Sequence, residues 1–163
     1  EDHGIAANVK PGSGPRHLVF SPNGRYAYLM NELSGKVIVY SYSDGKLKEL
    51  QSIAADNANA RGGADIHVSP DGMFVYASTR LKGDGITIFR VGNKGTLTRV
   101  GAQLTGKHPR NFAITPNGNF LLVACRDDNS IQVYSRDKDT GLLKNTHQDI
   151  VLSHPVCVKF YPE

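Results

Sequence analysis

An internal repeat constrains this chain more than any other feature. Ser21-Pro22-Asn23-Gly24 recurs as Ser69-Pro70-Asp71-Gly72 and again as Thr115-Pro116-Asn117-Gly118, at spacings of 48 and 46 residues. Each tetrapeptide has turn chemistry: proline fixes φ, Asn or Asp tolerates the left-handed region, and glycine accepts a positive φ. Apolar runs flank every copy, at 18–20, 66–68 and 112–114 before the turns and at 26–29, 74–77 and 120–123 after them. Such a pattern reads as a β-hairpin. A third apolar run follows in each unit (36–40, 85–89, 130–134), and then a more polar fourth (46–52, 95–100, 142–148).

Four short strands at this period predict β-propeller blades. The first three strands are apolar at nearly every position, which suits sheets covered on both faces by neighbouring blades. The fourth alternates, as an outer edge strand should. No apolar stripe of period 3.6 occurs, so helices should be few. Segments 5–9 and 156–160 read as lone strands. The expected division is therefore 1–11 for the outer strand of a preceding blade, 12–60, 61–105 and 106–153 for three blades, and 154–163 for the inner strand of a closing blade. Closed propellers need about 4 to 8 blades. The fold class is thus all-β, a partial β-propeller of about three four-stranded antiparallel blades plus flanking single strands. Its two bare apolar faces require either a missing N-terminal propeller half or a second copy of the chain.

Composition narrows the partners. A chain with 39% hydrophobic and 21% charged residues fits a folded globular protein. The net charge of +4 comes from scattered basic residues and there is no Trp, so nothing favours nucleic acid. No apolar run is long enough to span a bilayer, and the first residues lack the basic and apolar regions of a signal peptide. Cys125 and Cys157 lie outside any CxxC pair and read as buried thiols. With no N-x-S/T sequon, this leans towards a reducing, cytoplasmic setting.

Antiparallel pairing sets the start of each first strand beside the end of each second. Pro15-Arg16-His17 then meets Asn31-Glu32; Ala64-Asp65 and His67 meet Thr79-Arg80; Pro109-Arg110-Asn111 meets Cys125-Arg126-Asp127. Asn31, Thr79 and Cys125 each fall seven residues after a turn glycine, so the register repeats. First strands line a propeller's channel, which brings the three clusters to one mouth of it. Arginine forks bind carboxylate or phosphate. Histidine and glutamate exchange protons near neutral pH. A small anionic ligand suits the collection.

Each residue also has a plainer reading. Arg16 and Arg110 can pair with acids of the next blade, His17 and His67 can be packed channel residues, and Asp65 can cap a turn beside Gly62-Gly63. Glu32 can be a solvated loop acid, and 126–129 a surface turn. His108 and His154 precede prolines at equivalent repeat positions and read as a repeated structural feature, while His3 and His147 read as surface residues. No histidines pair at i, i+4 and no acidic loop has calcium spacing, so no metal is expected. Gly12-Ser13-Gly14 is followed by a strand and is no dinucleotide loop. Ser13 and Ser153 have no nucleophile-elbow context.

The run Gly12-Ser13-Gly14-Pro15-Arg16-His17-Leu18-Val19-Phe20-Ser21-Pro22-Asn23-Gly24, followed by Tyr28 and Asn31-Glu32, resembles the lactonase family of seven-bladed propellers. That family includes propeller-type 6-phosphogluconolactonases and carboxymuconate lactonizing enzymes. Asp65-Ile66-His67-Val68, Arg80, Pro109-Arg110-Asn111-Phe112 and His154-Pro155-Val156-Cys157 are similar to it as well. The resemblance implies a ring of seven blades of which this chain is the C-terminal half, with a cleft of Arg, His and Glu at the channel mouth. It matches Arg16, His17 and Glu32 to the family's site positions and Arg110 and Arg80 to further ones; together with the register, this gives Arg16, His17 and Glu32 as candidate catalytic residues and Arg110, Arg80, Asp65, His67 and Asn111 as candidate substrate-binding residues. The expected activity is hydrolysis of an anionic sugar-acid lactone such as 6-phosphogluconolactone, without a cofactor. The alternatives are a non-catalytic propeller scaffold for protein interaction and a lactonizing activity on a carboxylated substrate. Absence of Trp removes the WD signature and counts against the first alternative.

Overall fold

The computed structural model of the chain describes residues 4–58 and 61–161, so His3 lies outside the described residues. Three antiparallel sheets follow one another along the chain. The first blade is β1 (Pro15–Phe20), β2 (Tyr26–Asn31), β3 (Lys36–Ser43) and β4 (Lys46–Ala54), in that spatial order. The second is β5 (Gly63–Val68), β6 (Phe74–Thr79), β7 (Gly85–Val91) and β8 (Leu97–Leu104). The third is β9 (Pro109–Ile114), β10 (Phe120–Cys125), β11 (Ser130–Arg136) and β12 (Leu143–Asn145), with β13 (Ile150–Val151) also pairing with β11. Among the described residues the one helical segment is a 3-10 turn at Arg126–Asp128, closed by Asn129 in the left-handed region.

Each inner hairpin turn is built alike. Asn23 Oδ1 accepts the Arg25 N–H at 3.0 Å, Ser21 Oγ accepts the Tyr26 N–H at 3.0 Å, and Gly24, at φ 68°, donates to the Ser21 carbonyl at 2.8 Å. Asp71 and Asn117 repeat the first bond to Met73 and Asn119 at 2.9 and 3.0 Å. Short polar side chains thus satisfy the turn backbone locally and fix the hairpin register.

Blade faces pack on one another through two apolar clusters. Tyr28, Met30, Val37 and Val39 meet Ile66, Val75 and Phe89 between the first and second blades. Tyr76, Ile86 and Ile88 meet Phe112, Leu121 and Val123 between the second and third. Two glycines set the spacing. A Cβ on Gly95 would come within 2.4 Å of the Tyr26 ring, and one on Gly141 within 2.4 Å of the Phe74 ring. Each is the turn before an outer strand, laid flat on an aromatic ring of the previous blade. A polar lock adds to the second contact. The buried Arg136 guanidinium donates to Tyr76 Oη at 2.8 Å, to the Gly118 carbonyl at 3.1 Å and to Asp71 Oδ2 at 2.7 Å.

The structure shortens one expected strand and leaves two edge segments without a ladder. The segment at 5–9 is no strand: it is tied by a bond from the Leu47 N–H to the Ala6 carbonyl at 3.2 Å, with Ala7 and Val9 packed on Ala27, Ile38 and Tyr40. The segment at 156–160 is no strand either; Val158 N–H donates to Asn111 Oδ1 at 2.6 Å. Neither segment has a partner strand among the described residues, because the blades expected to pair with them lie outside this chain. The last outer strand, expected over 142–148, stops at Asn145. There the Asn145 side chain caps the N–H of His147, which sits at φ 57°, before β13 resumes the pairing. Cys125 is buried as expected, whereas Cys157 is exposed. No helix among the described residues is long and apolar enough to cross a membrane.

Candidate active site

All three inner strands carry a register break at the same place, next to the end of their partner. In the first blade Pro15 faces Asn31 and His17 faces Met30, leaving Arg16 unpaired. In the third, Pro109 faces Cys125 and Asn111 faces Ala124, leaving Arg110 unpaired. The second breaks between Gly63 and Ile66. Bulges re-aim side chains where a strand meets a site. Here they turn residues one repeat apart to the same rim, as the hairpin argument requires, but through a backbone irregularity that the sequence did not announce.

Two hydrogen-bonded rows cross the blades at this rim. The first joins side chains at one repeat position. His17 Nδ1 lies 2.6 Å from Asp65 Oδ1, and Asn111 Nδ2 donates to Asp65 Oδ2 at 2.5 Å. Asp65 is 3% exposed. Its oxygens also accept the Ile66 and Phe112 N–H groups at 2.9 and 3.2 Å, and His67 Nε2 lies 3.1 Å away. Burial alone would raise its pKa, but the bonds from His67, His17 and Phe112 outweigh burial and hold it down at about 2. An ionised Asp65 only accepts, so the proton of the shared His17 bond sits on Nδ1, on a ring that is half-exposed.

The second row joins the ends of the second strands. Glu32 Oε1 takes Arg80 Nη2 of the next blade at 2.5 Å, and Glu32 Oε2 takes Arg16 Nη1 at 3.1 Å. Arg16 Nε donates onward to the Ala64 carbonyl at 2.9 Å. Partial burial raises the Glu32 pKa, and the bonds and charges of Arg80 and Arg16 more than reverse this, leaving it below the usual carboxylate value. Arg80, 5% exposed, also donates to the Gly63 carbonyl at 3.3 Å and reaches His108 Nε2 at 3.1 Å. Arg110 makes no hydrogen bond or ion pair among the described residues. Burial, then the charges of Arg16, Arg80 and Arg126, weaken its hold on its proton, the sign of crowded positive charge.

Every expected site residue lies on this rim, in different capacities. Arg16 pairs within its own blade and with a backbone carbonyl, not with an acid of the next blade. The ion pair between blades belongs to Arg80. His67 is held between Asp65 and an edge-on Phe112 ring 4.8 Å away. Asn111 spans from Asp65 to the Val158 N–H. The sequence reading missed the part of His108, whose bond to Arg80 depends on how two blades meet. A hollow between Lys10, Ser13, Ser34, Lys36 and Glu49 lies beside the first blade and holds none of these residues.

The family model for the seven-bladed β-propeller lactonases matches residues 2–160. The chain belongs to the lactonase propeller family. It is 48% identical to a 6-phosphogluconolactonase of Formosa agariphila over 91% of its own length and 43% of the relative's. Among solved structures it superposes on a chain from Bacteroides fragilis, described as a candidate 6-phosphogluconolactonase. The TM-score there is 0.94 and the identity 58%, covering 96% of this chain and 44% of that one. A periplasmic gluconolactonase of Pseudomonas aeruginosa gives a TM-score of 0.89 at 35% identity, over 96% and 45%. The lactonase segment described here thus spans less than half the length of the relatives it matches. In this lactonase propeller segment the motif residues Arg16, His17 and Glu32 stand side by side at the adjoining ends of β1 and β2, with Arg110 unpaired two blades further on.

Proposed function

We propose that, in its complete ring, this protein hydrolyses a sugar-acid lactone carrying an anionic group, 6-phosphogluconolactone being the example its named relatives suggest. The observation that carries the reading is the combination of a half-exposed His17, oriented by the ionised Asp65, with an unpaired Arg110 and the Arg16–Glu32–Arg80 clamp. Arg110 is free to take the substrate's phosphate or carboxylate as a bidentate partner. Arg16 is placed to polarise the lactone carbonyl. Water attacks that carbon as its proton passes to His17 Nε2, and the guanidinium stabilises the resulting alkoxide. Collapse breaks the bond from carbon to the ring oxygen, which takes the proton back from His17 and leaves an open hydroxy acid. Glu32 serves this scheme as the anchor of two arginines. Its lowered basicity under their charges favours His17 over Glu32 as the base. Further blades of the ring supply the remaining wall of the channel mouth.

The test is hydrolysis of 6-phosphogluconolactone by the complete ring, corrected for spontaneous opening. Replacement of His17 by Gln and of Arg16 by Ala should each lower kcat/KM by about 100-fold. Folded variants that keep the wild-type rate sink the site assignment; a wild-type ring that opens no lactone sinks the activity.

A further inference from the structure

His108 occupies the repeat position held by Gly14 in the first blade and Gly62 in the second, and its backbone is left-handed, at φ 58°, as Gly14 is at 65° and Gly62 is not. A bulky side chain there accepts backbone strain that glycine avoids. Its ring is mostly buried and spans two blades. Nδ1 lies 3.3 Å from Asp127 Oδ2, and Nε2 lies 3.1 Å from Arg80 Nη1. A guanidinium only donates, so Nε2 must be the bare, accepting nitrogen and the ring proton sits on Nδ1, towards Asp127. A continuous chain results: Asp127 orients His108, His108 holds Arg80, and Arg80 grips Glu32 at 2.5 Å. The contact is not a routine product of the repeat. One blade on, the equivalent residues are Arg126 and His154, and Arg126 folds onto Asp127 instead, at 2.7 Å.

We propose that His108 is a positioning residue of the rim: its unprotonated Nε2 holds Arg80 against Glu32, and uptake of a proton by His108 releases that grip. The groups that face it are Arg80 from the second blade, Arg126 and Asp127 from the 3-10 turn, and Arg110 from β9, the strand it precedes. Three cations oppose protonation and one carboxylate favours it. Burial acts first and the cations next, lowering the histidine's pKa, so the ring is neutral at pH 7 and the clamp is assembled there. The kinetic part of this inference rests on the lactonase reading above; the contact itself does not.

Two measurements on the complete ring keep those apart. The first is an NMR titration of the His108 ring, which needs no turnover. Replacing Arg80 by Met should raise the titration midpoint, and replacing the exposed Asp127 by Asn, a change the fold tolerates readily, should lower it. A midpoint unmoved by both overturns the inference whatever the enzyme does. The second is the pH dependence of lactone opening. His108→Gln, which keeps an acceptor near the Nε2 position and cannot titrate, should stay within about threefold of wild type at pH 7.5. His108→Leu should lose about tenfold in kcat, and His108→Lys more. On the acid side the wild-type rate should fall more steeply than first order in proton concentration, and His108→Gln should restore the first-order fall set by the base. A Gln variant as impaired as Leu, or one with the wild-type acid limb, overturns the positioning role. A wild-type ring that opens no lactone overturns that role together with the lactonase reading.

Discussion

His17 and Asp65 hold the same repeat position in successive blades and are joined ring to carboxylate at 2.6 Å. The bond ties a half-exposed histidine to a carboxylate anchored by two backbone N–H groups and by Asn111 of the blade beyond. An orienting carboxylate fixes the tautomer of a catalytic histidine and steadies the imidazolium formed during turnover. Replacing Asp65 by Asn keeps the shape but offers an amide in place of the charge. The expected outcome is a fall in kcat of about 100-fold with KM little changed, measured by lactone opening in the complete ring. An equal fall in variants altered only at His67 would show that the loss comes from the channel wall rather than from the His17 orientation.

Asp65 also predicts how the fold responds to acid. Its carboxyl has a pKa of about 2 in the folded chain against 3.8 for the unfolded group. A depressed carboxylate pKa stabilises the fold above the unfolded value, and that contribution disappears as pH falls through the folded one. Between about pH 4 and pH 2 the unfolded chain binds more protons, so about 2 kcal/mol of stability should be lost over that window. Denaturant unfolding at pH 7, 4, 3 and 2 measures it. The Asp65→Asn protein should be less stable at neutral pH and show a shallower decline below pH 4. A decline as steep as wild type would assign the acid sensitivity to other carboxylates.

Arg110 and Arg80 lie on one rim yet should respond oppositely to truncation. Arg110 has no partner among the described residues, so Arg110→Ala removes repulsion among cations and costs the fold little. Its effect should appear as a KM for an anionic lactone raised about tenfold or more, with the unfolding midpoint unchanged. Arg80 is buried and pairs with Glu32, so its loss leaves Glu32 with Arg16 alone and empties a packed site at the blade junction, which should cost about 1–3 kcal/mol of stability. Steady-state kinetics beside thermal unfolding separate the two. Equal losses of stability would mean that Arg110 is part of the frame.

The contrast shows how far the sequence carried. The three Pro-Asn/Asp-Gly turns and their flanking strands were legible because that chemistry is local: a side chain two residues from the bend satisfies it. That Arg16 and Glu32 would meet followed from hairpin pairing, again a local relation. The Glu32–Arg80 and His17–Asp65 contacts did not, because they depend on the rotation between blades. A usable signal was still present, since Glu32, Arg80 and Arg126 fall in one column of the repeat, and His17, Asp65 and Asn111 in another. Residues in one column of neighbouring blades stand side by side on the rim. His108 was read as a repeated structural feature, and its left-handed backbone agrees; its reach to Arg80 required coordinates. The edge segments at 5–9 and 156–160 carry the apolar alternation of strands but form no ladder here, since none of the described strands pairs with them.

Arg136 offers a test of the frame remote from the chemistry. Its side chain is fully buried, stacked against Phe74 and Tyr76, with all three nitrogens bonded across the junction of the second and third blades. These partners sit at the turn end of the sheets, opposite the Arg16–Glu32 rim. Arg136→Met keeps much of the apolar stem but leaves Tyr76 Oη and Asp71 without the donor they share, so the fold should lose about 3 kcal/mol. Because Asp71 also caps its own turn through the Met73 N–H, the damage should spread to the β5–β6 hairpin. Hydrogen exchange would show it as faster exchange at Phe74 and Tyr76 than at Tyr28. Rates of lactone opening at temperatures well below unfolding should stay within about twofold of wild type. A large loss of rate in the folded variant would mean that the two ends of the blades are coupled, and that the rim depends on the second junction for its geometry.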